Sequence, residues 1–398
     1  MSEKNFDIYF DLGSSKIRVS AFNQNNKGQS ILIEKNCISD LKSNQINLTE
    51  ADKIIEEIIS ELEKKTGEYL DNINIMLDAP ETVSINLSLS KKKDGKKITA
   101  EDIQYLVQDA KQQILKFNPD KNIIHIVVGN YKVDDQYYDD PPIDVSCRLF
   151  SFNIIFICFP KDLIKSLEQL FYKFQISINK VLCSSYTKSL NYKEQFNSFE
   201  KIAFFDLGYQ KTSVIIYDKS KLKAFNILPV GSNHITKDIS KVLNLSSEES
   251  ENIKNNLNND ISLTEVDENR KIFNDEFLKK SNFSNETLDL AYKIINARIE
   301  EILNLSLGAI RFYENHMDIN KFKIVLIGQG SKILDNNSIY INEIIPLFEE
   351  IVFFPETVET ICESGLMLNQ GINKQEVVIV PKKIKKIGFF EKLFHFFK

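Results

Sequence analysis

The sequence predicts an α/β fold of two related lobes, with a smaller α+β unit inserted into the first lobe. Strand-like segments alternate with helical ones along most of the chain, which is typical of α/β proteins. The N-terminal segment F-D-I-Y-F-D-L-G returns about two hundred residues later as K-I-A-F-F-D-L-G, from Lys201 to Gly208. A buried strand, Ile324 to Ile327, then runs into the glycine turn Gly328 to Ser331. These observations predict two similar lobes that face each other across a cleft.

The first lobe opens on a predicted β-hairpin. Phe6 to Asp11 and Ile17 to Phe22 are apolar strands on either side of a glycine turn. Leu48 to Lys65 has the apolar spacing of an amphipathic helix. Ile73 to Leu77 is the next strand, and Lys161 to Phe174 is a helix that follows the insertion.

The insertion is predicted to extend from Val83 to Phe159. Its first strand, Val83 to Leu89, leads into a charged turn centred on Asp94-Gly95, a pair that favours tight hairpins. Thr99 to Asp102 opens a predicted helix that runs to about Leu115. The other predicted strands are Ile123 to Val128, Val145 to Phe150 and Asn153 to Phe159.

The turn between the first two strands has residues that can hold a phosphate group; the alternative is a plain hairpin turn, since many hairpins end in D-x-G. Gly13 allows the backbone to approach a phosphate closely. The hydroxyl groups of Ser14 and Ser15 can hydrogen-bond its oxygens, and Asp11 can hold hydrated Mg²⁺. The second copy, at Asp206 to Gly208, would let two facing loops hold one triphosphate. The third loop, at Gly328 to Ser331, offers flat backbone on which an adenine can lie.

The charge of the chain is uneven. The net charge is −6, yet the segment from Lys382 onward holds six Lys and one Glu, so the body carries −11. An acidic body argues against nucleic acid as a partner, and a basic segment favours anionic lipid. The acidic N-terminal residues are not those of a signal peptide. The five scattered cysteines are expected to be buried, reduced thiols of a cytoplasmic protein.

The segment Lys386 to Lys398 predicts a short amphipathic helix. At about 100° per residue, Glu391, Lys392, His395 and Lys398 share one narrow face. Such a wide apolar face suits a helix that lies in a membrane surface; the alternative is that the segment docks on the protein itself. The residues expected to enter the membrane are Ile387, Phe389, Phe390, Leu393, Phe394, Phe396 and Phe397.

Taken together, these motifs resemble the actin-like ATPase superfamily and, within it, the FtsA family of bacterial cell-division proteins. The likeness extends over essentially the whole chain. D-L-G-S-S-K from Asp11 resembles the first phosphate loop of the family, and D-L-G-Y-Q-K-T-S from Asp206 resembles the second. P-V-G-S-N-H-I-T-K-D-I, Pro229 to Ile239, is the most specific match. I-I-N-A-R-I-E-E, Ile294 to Glu301, resembles a family helix near the docking site for the FtsZ tail.

The resemblance implies a set of site residues. Asp11 and Asp206 would hold Mg²⁺ through water, Glu251 and Lys254 would meet the ribose and adenine, and Arg298 and Glu301 would lie at the partner site, with a plain intrahelical pair as the alternative. The residues implied to contact ATP are Gly13, Ser14, Ser15, Lys16, Gly208, Thr212, Glu251, Lys254, Gly328, Gln329, Gly330 and Ser331.

The second phosphate loop departs from the family pattern. Tyr209, Gln210 and Lys211 replace Gly, Gly and Thr, and Gln329 replaces a glycine of the third loop. These side chains are expected to crowd the γ-phosphate and to remove positive-φ freedom. We therefore expect at most slow ATP hydrolysis.

The predicted domains follow the family's order. They are subdomain 1A at 1–82 and 160–197, the inserted subdomain 1C at 83–159, subdomain 2A at 198–243 and 299–370, subdomain 2B at 244–298, a linker at 371–385 and the membrane helix at 386–398.

The function that the resemblance implies is a tether that links FtsZ, through its C-terminal peptide, to the cytoplasmic face of the cell membrane at the division site. Self-assembly into filaments and contacts with later division proteins are implied as well. The first alternative is a PilM-like adaptor that does not polymerise. The second is an enzyme of the same superfamily, such as a sugar kinase, for which no carboxylate base was identified.

Overall fold

The computed structural model describes residues 5–25, 29–37, 48–79, 81–259, 263–267, 270–273, 283–314, 322–335, 350–371 and 376. The predicted membrane helix, 386–398, and all of the predicted linker except residues 371 and 376 lie outside these ranges.

The first lobe is built on a five-stranded sheet of order β3-β2-β1-β4-β9. The antiparallel pairing of β1 with β2 confirms the predicted hairpin, and β4 adds to the other side of β1 in parallel. Both faces of β1 are buried, with Phe10 in the main core and Tyr9 on the opposite face, so the strand is nearly continuous in apolar residues. The elements of the first lobe that precede the insertion are β1 Phe6–Leu12, β2 Lys16–Asn23, β3 Ser30–Asn36, α1 Leu48–Thr66 and β4 Asn72–Leu77, and β9, after the insertion, is Ser177–Cys183.

The insertion is an antiparallel sheet of order β5-β8-β6-β7 with one helix. Asp94 and Gly95 have φ of 50° and 86°, which confirms the tight turn that the Asp-Gly pair predicts. The elements are β5 Val83–Lys92, α2 Ala100–Phe117, β6 Lys121–Val133, β7 Gln136–Tyr138 and β8 Leu149–Pro160.

The prediction of two strands in the last part of the insertion was wrong. One strand, β8, runs from Leu149 through Ser151 and Asn153 to Pro160. Ser151 is half-buried and Asn153 exposed, while Phe150 and Phe152, which alternate with them, are buried. Polar residues on the outer face of a half-buried strand keep the period of two and do not interrupt it.

Asp102 holds the start of α2 in place. Its carboxylate accepts hydrogen bonds from Lys91 (2.7 Å), Lys93 (2.5 Å) and the backbone N–H of Thr99 (3.0 Å). Burial alone would raise the pKa of Asp102, but the bonds from Lys91 and Lys93 outweigh it and hold the pKa well below its usual range. The charged form of Asp102 is therefore stabilised in the folded state.

We expect Asp102→Asn to destabilise the insertion by about 1–3 kcal/mol at pH 7. Because the folded pKa is lowered, this stabilisation is fully present above the unfolded pKa of about 3.9 and is lost progressively as the pH falls from there through the folded pKa. Urea unfolding followed by circular dichroism at pH 7 and pH 3 measures the difference. Asp109→Asn, on an exposed part of the same helix, is the control. Equal losses at both pH values would contradict the assignment.

A buried helix leads from the first lobe to the second. β9 joins the first sheet in parallel beside β4, and α4 begins at the residue after it. Ser189 of α4 lies 2.9 Å, oxygen to oxygen, from the hydroxyl of Tyr217 in the second lobe. The elements here are α3 Lys161–Tyr172, β9 Ser177–Cys183 and α4 Ser184–Tyr192.

The second lobe repeats the topology of the first. Its sheet has the order β12-β11-β10-β15-β16, in which β10 is antiparallel to β11 and parallel to β15. The expectation of two similar lobes is confirmed. The elements are β10 Lys201–Leu207, β11 Thr212–Asp218, β12 Lys221–Leu228, α5 Ser232–Leu243, α6 Ser247–Asn259, β13 Leu263–Asp267, β14 Arg270–Phe273, α7 Asn285–Glu314, β15 Phe322–Ile327, α8 Lys332–Asp335, β16 Glu350–Phe353 and α9 Val358–Asn369.

The last described helix, α9, packs against the first lobe. Asn369 donates a hydrogen bond of 2.7 Å to the hydroxyl of Tyr9, and a Cβ on Gly365 would lie 2.7 Å from the Tyr9 ring. The predicted boundaries assign this helix to subdomain 2A, although its contacts with β1 belong to the first sheet.

All five cysteines are buried, as predicted. Among the described helices, none has an apolar stretch long enough to cross a bilayer.

Candidate functional site

The two β-hairpin turns line one cavity from opposite sides. In the first turn the N–H of Gly13 donates to the carbonyl of Lys16 (3.0 Å), and in the second the N–H of Gly208 donates to the carbonyl of Lys211 (2.9 Å). The cavity has about 590 Å³ of empty volume, including the part open to solvent. Each turn thus closes in the same way, and both contribute to one site between the lobes.

The third loop packs directly on the second. Gly328 has φ of 86°, and a Cβ there would lie 2.4 Å from the carboxylate of Asp206 and 2.6 Å from the carbonyl of Leu207. The N–H of Gly328 donates to the carboxylate of Glu356 at 2.8 Å. The glycine is therefore required by the approach of the chain's own backbone.

The loss of glycine from the second turn causes no backbone strain. Among the described residues with positive φ, none belongs to the segment Tyr209 to Lys211, so these residues form the turn without the conformational freedom of glycine. The side chains are instead accommodated by packing. Gln210 is buried beside Asn233, which donates to its side-chain oxygen at 3.3 Å, and the Tyr209 ring lies 5.6 Å from the ammonium of Lys254.

The cavity floor is a cluster of buried, paired charges. Arg18 forms an ion pair with Asp11 at 2.9 Å. Lys188 lies 2.7 Å from Asp206 and 3.0 Å from Glu356. Each of these five side chains is less than one tenth exposed. The hydroxyl of Ser184 also donates to the carboxylate of Asp11 at 2.7 Å.

Burial and the ion pairs of Lys188 together set the pKa values at this site. Burial raises the pKa of Asp206 to about 6. The ammonium of Lys188 opposes this rise, but Asp206 shares that single positive charge with Glu356, whose own charge raises the pKa further. Burial would lower the pKa of Lys188, but the two carboxylates outweigh it and raise the pKa well above its usual value. Lys188 is therefore charged at neutral pH.

These residues, as placed, do not fit a Mg²⁺ ion held by Asp11 and Asp206. Both aspartates already have a cationic partner, and Mg²⁺ requires a nearly ideal octahedral shell with several waters. The metal assignment of these residues stays a prediction that the present arrangement does not favour.

Half of the predicted nucleotide-contacting residues line the cavity. These are Gly13, Ser14, Ser15, Gly208, Gly328 and Gln329, together with Asp11 and Asp206. The structure does not place the others in the lining. Lys16 pairs with Glu34 at 2.5 Å, Thr212 donates to the carbonyl of Val230 at 2.8 Å, and Ser331, next to the buried Gly330, donates to the carbonyl of Gly328 at 2.6 Å.

Glu251 and Lys254 form a network between α5 and α6. The ammonium of Lys254 is buried and donates to Glu251 (2.6 Å) and to the hydroxyl of Thr236 (2.8 Å). The Thr236 hydroxyl in turn donates to Glu251 at 2.5 Å. Both predicted ligand residues therefore already have partners within the protein.

Sequence reasoning missed five residues of the lining: Arg18, Asp78, Ser184, Lys188 and Glu356. Arg18 lies opposite Asp11 across the first hairpin, and the other four follow β4, β9 and β16. Polar residues just after strands of a parallel sheet are candidates for the site, because the carboxyl ends of these strands lie at one edge. Lys188 lies within a helix and carried no such signal.

The predicted partner residues lie together on α7. Arg298 contacts Glu301, as the intrahelical alternative required, and also forms an ion pair of 2.7 Å with Asp238 of α5. The pKa of Arg298 is raised, chiefly by its hydrogen bond with Asp238. The Arg298 side chain is 25% exposed and that of Glu301 51% exposed, so the pair reaches the surface.

His125 connects the insertion to the start of α4. It is buried, its Nδ1 lies 2.6 Å from the carboxylate of Glu376, and its Nε2 accepts a hydrogen bond from the N–H of Cys183 at 2.9 Å. Glu376 also forms a β-bridge with Val127. His125 is therefore a structural residue, and Glu376, within the predicted linker, lies against β6.

Comparisons with known proteins agree with this architecture. Residues 203–372 match the family model described as "Cell division protein FtsA", and residues 81–158 match "SHS2 domain inserted in FTSA". Together the two models cover more than half of the chain.

Curated relatives carry the same family description. The cell division protein FtsA of Enterococcus faecalis is 25% identical over 317 residues, which is 77% of this chain and 70% of the relative. FtsA of Buchnera aphidicola subsp. Acyrthosiphon pisum is 24% identical over 357 residues and 82% of each chain. FtsA of Streptococcus pneumoniae is 24% identical, and the match covers 64% of this chain and 56% of the relative.

Among solved structures, the PilM-PilN type IV pilus biogenesis complex contains a similar chain. The TM-score is 0.60 at 11% identity, with coverage of 92% of this chain and 98% of the other. At this identity the likeness concerns the fold alone. With the topology of the two sheets, it identifies an actin-like ATPase fold with an inserted α+β subdomain.

Proposed function

This chain belongs to the FtsA family of cell-division proteins, and from that premise we propose that it tethers the FtsZ ring to the cytoplasmic face of the cell membrane. The observation that carries the proposal is that one chain combines the family's domains with the apolar, lysine-containing segment Lys386 to Lys398. The domains provide a protein-binding body. The segment provides a means of contact with lipid.

Self-assembly would determine how firmly the protein holds the membrane. A single short amphipathic helix binds a bilayer weakly and reversibly. Filaments of protomers would present many such helices to one surface, so that dissociation of one helix leaves the others bound. Polymerisation would thus convert weak attachment into a long residence time at the division site, where later division proteins could also bind.

The FtsZ C-terminal peptide is proposed to bind near Arg298 and Glu301. The exposed part of this pair lies on α7, beside Asp238 of α5. A guanidinium held by two carboxylates is fixed in orientation and can still donate a further hydrogen bond to a peptide carboxylate. Here the ion pair with Asp238 serves as a support for the partner site.

ATP with Mg²⁺ is the ligand that the actin-like fold implies for the cleft, and at most slow hydrolysis is expected. No step of the proposed tethering passes through this ligand, since the cavity charges are already paired within the protein. The alternative is a PilM-like adaptor that does not polymerise. The likeness to the PilM-PilN structure supports a shared fold and does not support a shared function.

A bridging assay tests the tether. Fluorescent peptide with the sequence of the FtsZ C-terminus is mixed with anionic liposomes, with and without the protein, and the pelleted peptide is measured. We expect the peptide to pellet only when both protein and liposomes are present. Arg298→Ala should reduce the pelleted peptide several-fold and leave the pelleted protein unchanged.

Lys293→Ala is the matched control for Arg298→Ala. Lys293 lies on the same helix and pairs with Asp289 at 2.8 Å, so its loss tests for a general effect of removing a helix ion pair. Equal losses in the two variants would exclude Arg298 as a partner residue. Protein that pellets with liposomes but never carries the peptide would refute the proposed link to FtsZ.

A further inference from the structure

Two lysines link the lobes across the cavity in opposite directions. Lys188, on the helix that leaves the first lobe, contacts Asp206 and Glu356 of the second lobe at 2.7 Å and 3.0 Å. Lys211, on the hairpin turn of the second lobe, donates to the backbone carbonyl of Asp78 in the first. The closed cleft is therefore held from both sides by side chains of the protein.

The anchor points of both lysines are connected. The carboxylate of Asp78 accepts hydrogen bonds from the N–H (3.0 Å) and the hydroxyl (2.9 Å) of Ser185, in the first turn of α4. Lys188 lies one turn further along the same helix. Lys211 therefore contacts the carbonyl of Asp78, and the side chain of Asp78 is hydrogen-bonded to α4, the helix that carries Lys188. The two lysine contacts thus support each other.

Opening the cleft would leave these groups without partners. Lys188 and Lys211 are 6% and 8% exposed, and the side chains of Asp206 and Glu356 are 7% and 4% exposed. Separating a buried ammonium from its buried carboxylates is strongly unfavourable, because neither charge recovers full hydration while the neighbouring residues remain packed. The two lysines therefore oppose separation of the lobes.

All cations of the cavity lining are engaged in this way. The lining contains Arg18, Lys188 and Lys211, and each already contacts an oxygen of the protein. A nucleotide with its metal ion joins two facing loops by placing anionic oxygens and a cation between them. In this chain, covalently attached ammonium groups link the same two lobes, through Asp206 and Glu356 on one side and the carbonyl of Asp78 on the other.

We propose that Lys188 and Lys211 form a built-in clamp that holds the two lobes closed without nucleotide, in place of a bound metal–nucleotide complex. The inference deepens the proposed function and rests on it, because it states how the cleft of the tether is controlled. Nucleotide must displace the clamp to bind, so the purified protein should be closed and stable when free of nucleotide and Mg²⁺.

Hydrogen exchange measured by mass spectrometry tests the clamp. The full chain is freed of nucleotide with phosphatase and EDTA, and exchange is followed in the turns at 11–18 and 206–213, with and without ATP and Mg²⁺. We expect both turns of the unaltered protein to be protected in either condition, and its melting temperature to shift by less than about 1 °C on addition of ATP and Mg²⁺. In Lys188→Met/Lys211→Met, exchange in both turns should rise about tenfold or more.

Two further variants keep the test decisive. Lys121→Met removes a lysine that is 9% exposed in the insertion, and it should leave the exchange of both turns unchanged. Lys188→Arg keeps the positive charge and should keep the protection. If the double variant does not fold, the hydrogen exchange of both turns is compared between Lys211→Met and the wild-type protein, each free of nucleotide. The turns of Lys211→Met should then exchange faster.

Two results would overturn the clamp. One is a nucleotide-free protein whose turns exchange freely and become protected by ATP and Mg²⁺; the other is a double variant that stays as protected as the wild type. The bridging assay, run on nucleotide-free protein, is independent of these readings. If the protein fails to carry the peptide to liposomes while its turns stay protected from exchange, the tether is refuted and the clamp is not. If the protein carries the peptide while its turns exchange freely, the clamp alone is refuted.

Discussion

Deletion of Lys386 to Lys398 is expected to reduce pelleting with anionic liposomes to background and to leave the two lobes folded. The seven apolar residues of this segment supply the area that would be buried at the lipid boundary. Each Lys near an anionic surface adds about 1 kcal/mol. The segment holds three Lys and one Glu, so the chain that remains after the deletion carries a net charge of −8; it is repelled by the surface and cannot replace the segment.

Liposome pelleting and thermal unfolding, measured on the same samples, check this prediction. The matched control changes Phe394 and Phe397 to Asp, which keeps the length of the segment and removes its continuous apolar face. It should bind as poorly as the deletion. Full pelleting of the deleted protein would refute the membrane role. A large fall in melting temperature on deletion would support the alternative, in which the segment docks on the protein itself.

Gly328→Ala is expected to destabilise the second lobe by about 3 kcal/mol or more, or to prevent folding. Gly328 has φ of 86° and ψ of 154°, a region that only glycine occupies readily. An added Cβ would also lie 2.6 Å from the carbonyl of Leu207. The third loop would have to move away from the second, and the hydrogen bond from Gly328 to Glu356 would be lost.

Gly308→Ala is the matched control for this substitution. Gly308 is exposed within α7, and an added Cβ would meet nothing within 4 Å. Because alanine favours a helix over glycine, the change should stabilise the protein by up to about 1 kcal/mol. Urea unfolding of both variants gives the comparison. A Gly328→Ala protein as stable as the wild type would show that the loop does not need its glycine.

The repeat in the sequence was sufficient to predict the architecture. Two copies of a strand that ends in D-L-G indicated two hairpins, and the sheets of both lobes have the same order and directions. Strand periodicity and turn residues are local properties, so they can be read from short segments. The same locality explains why the Asp94-Gly95 turn and the start of the helix near Thr99 were predicted correctly.

The site was predicted only in part. The glycine turns at Gly13 and Gly208 line the cavity as expected, whereas Glu251 and Lys254 are engaged with each other. A resemblance predicts the role of a residue from its type and position. It does not show whether that residue is already bound by another side chain of the same protein. The hydrogen bond from Thr236 to Glu251 is an example of such a competing contact.

The sequence by itself determined the two-lobe α/β fold, the turns that meet at the cleft and the apolar segment at 386–398. Only the tertiary structure revealed that Lys188 and Lys211 reach across the cleft, and that the carboxylates of Asp11 and Asp206 already have cationic partners. The physical reason is that strands and turns follow from neighbouring residues, whereas a buried ion pair depends on the distance between groups far apart in the chain. That distance exists only after the lobes have folded against each other.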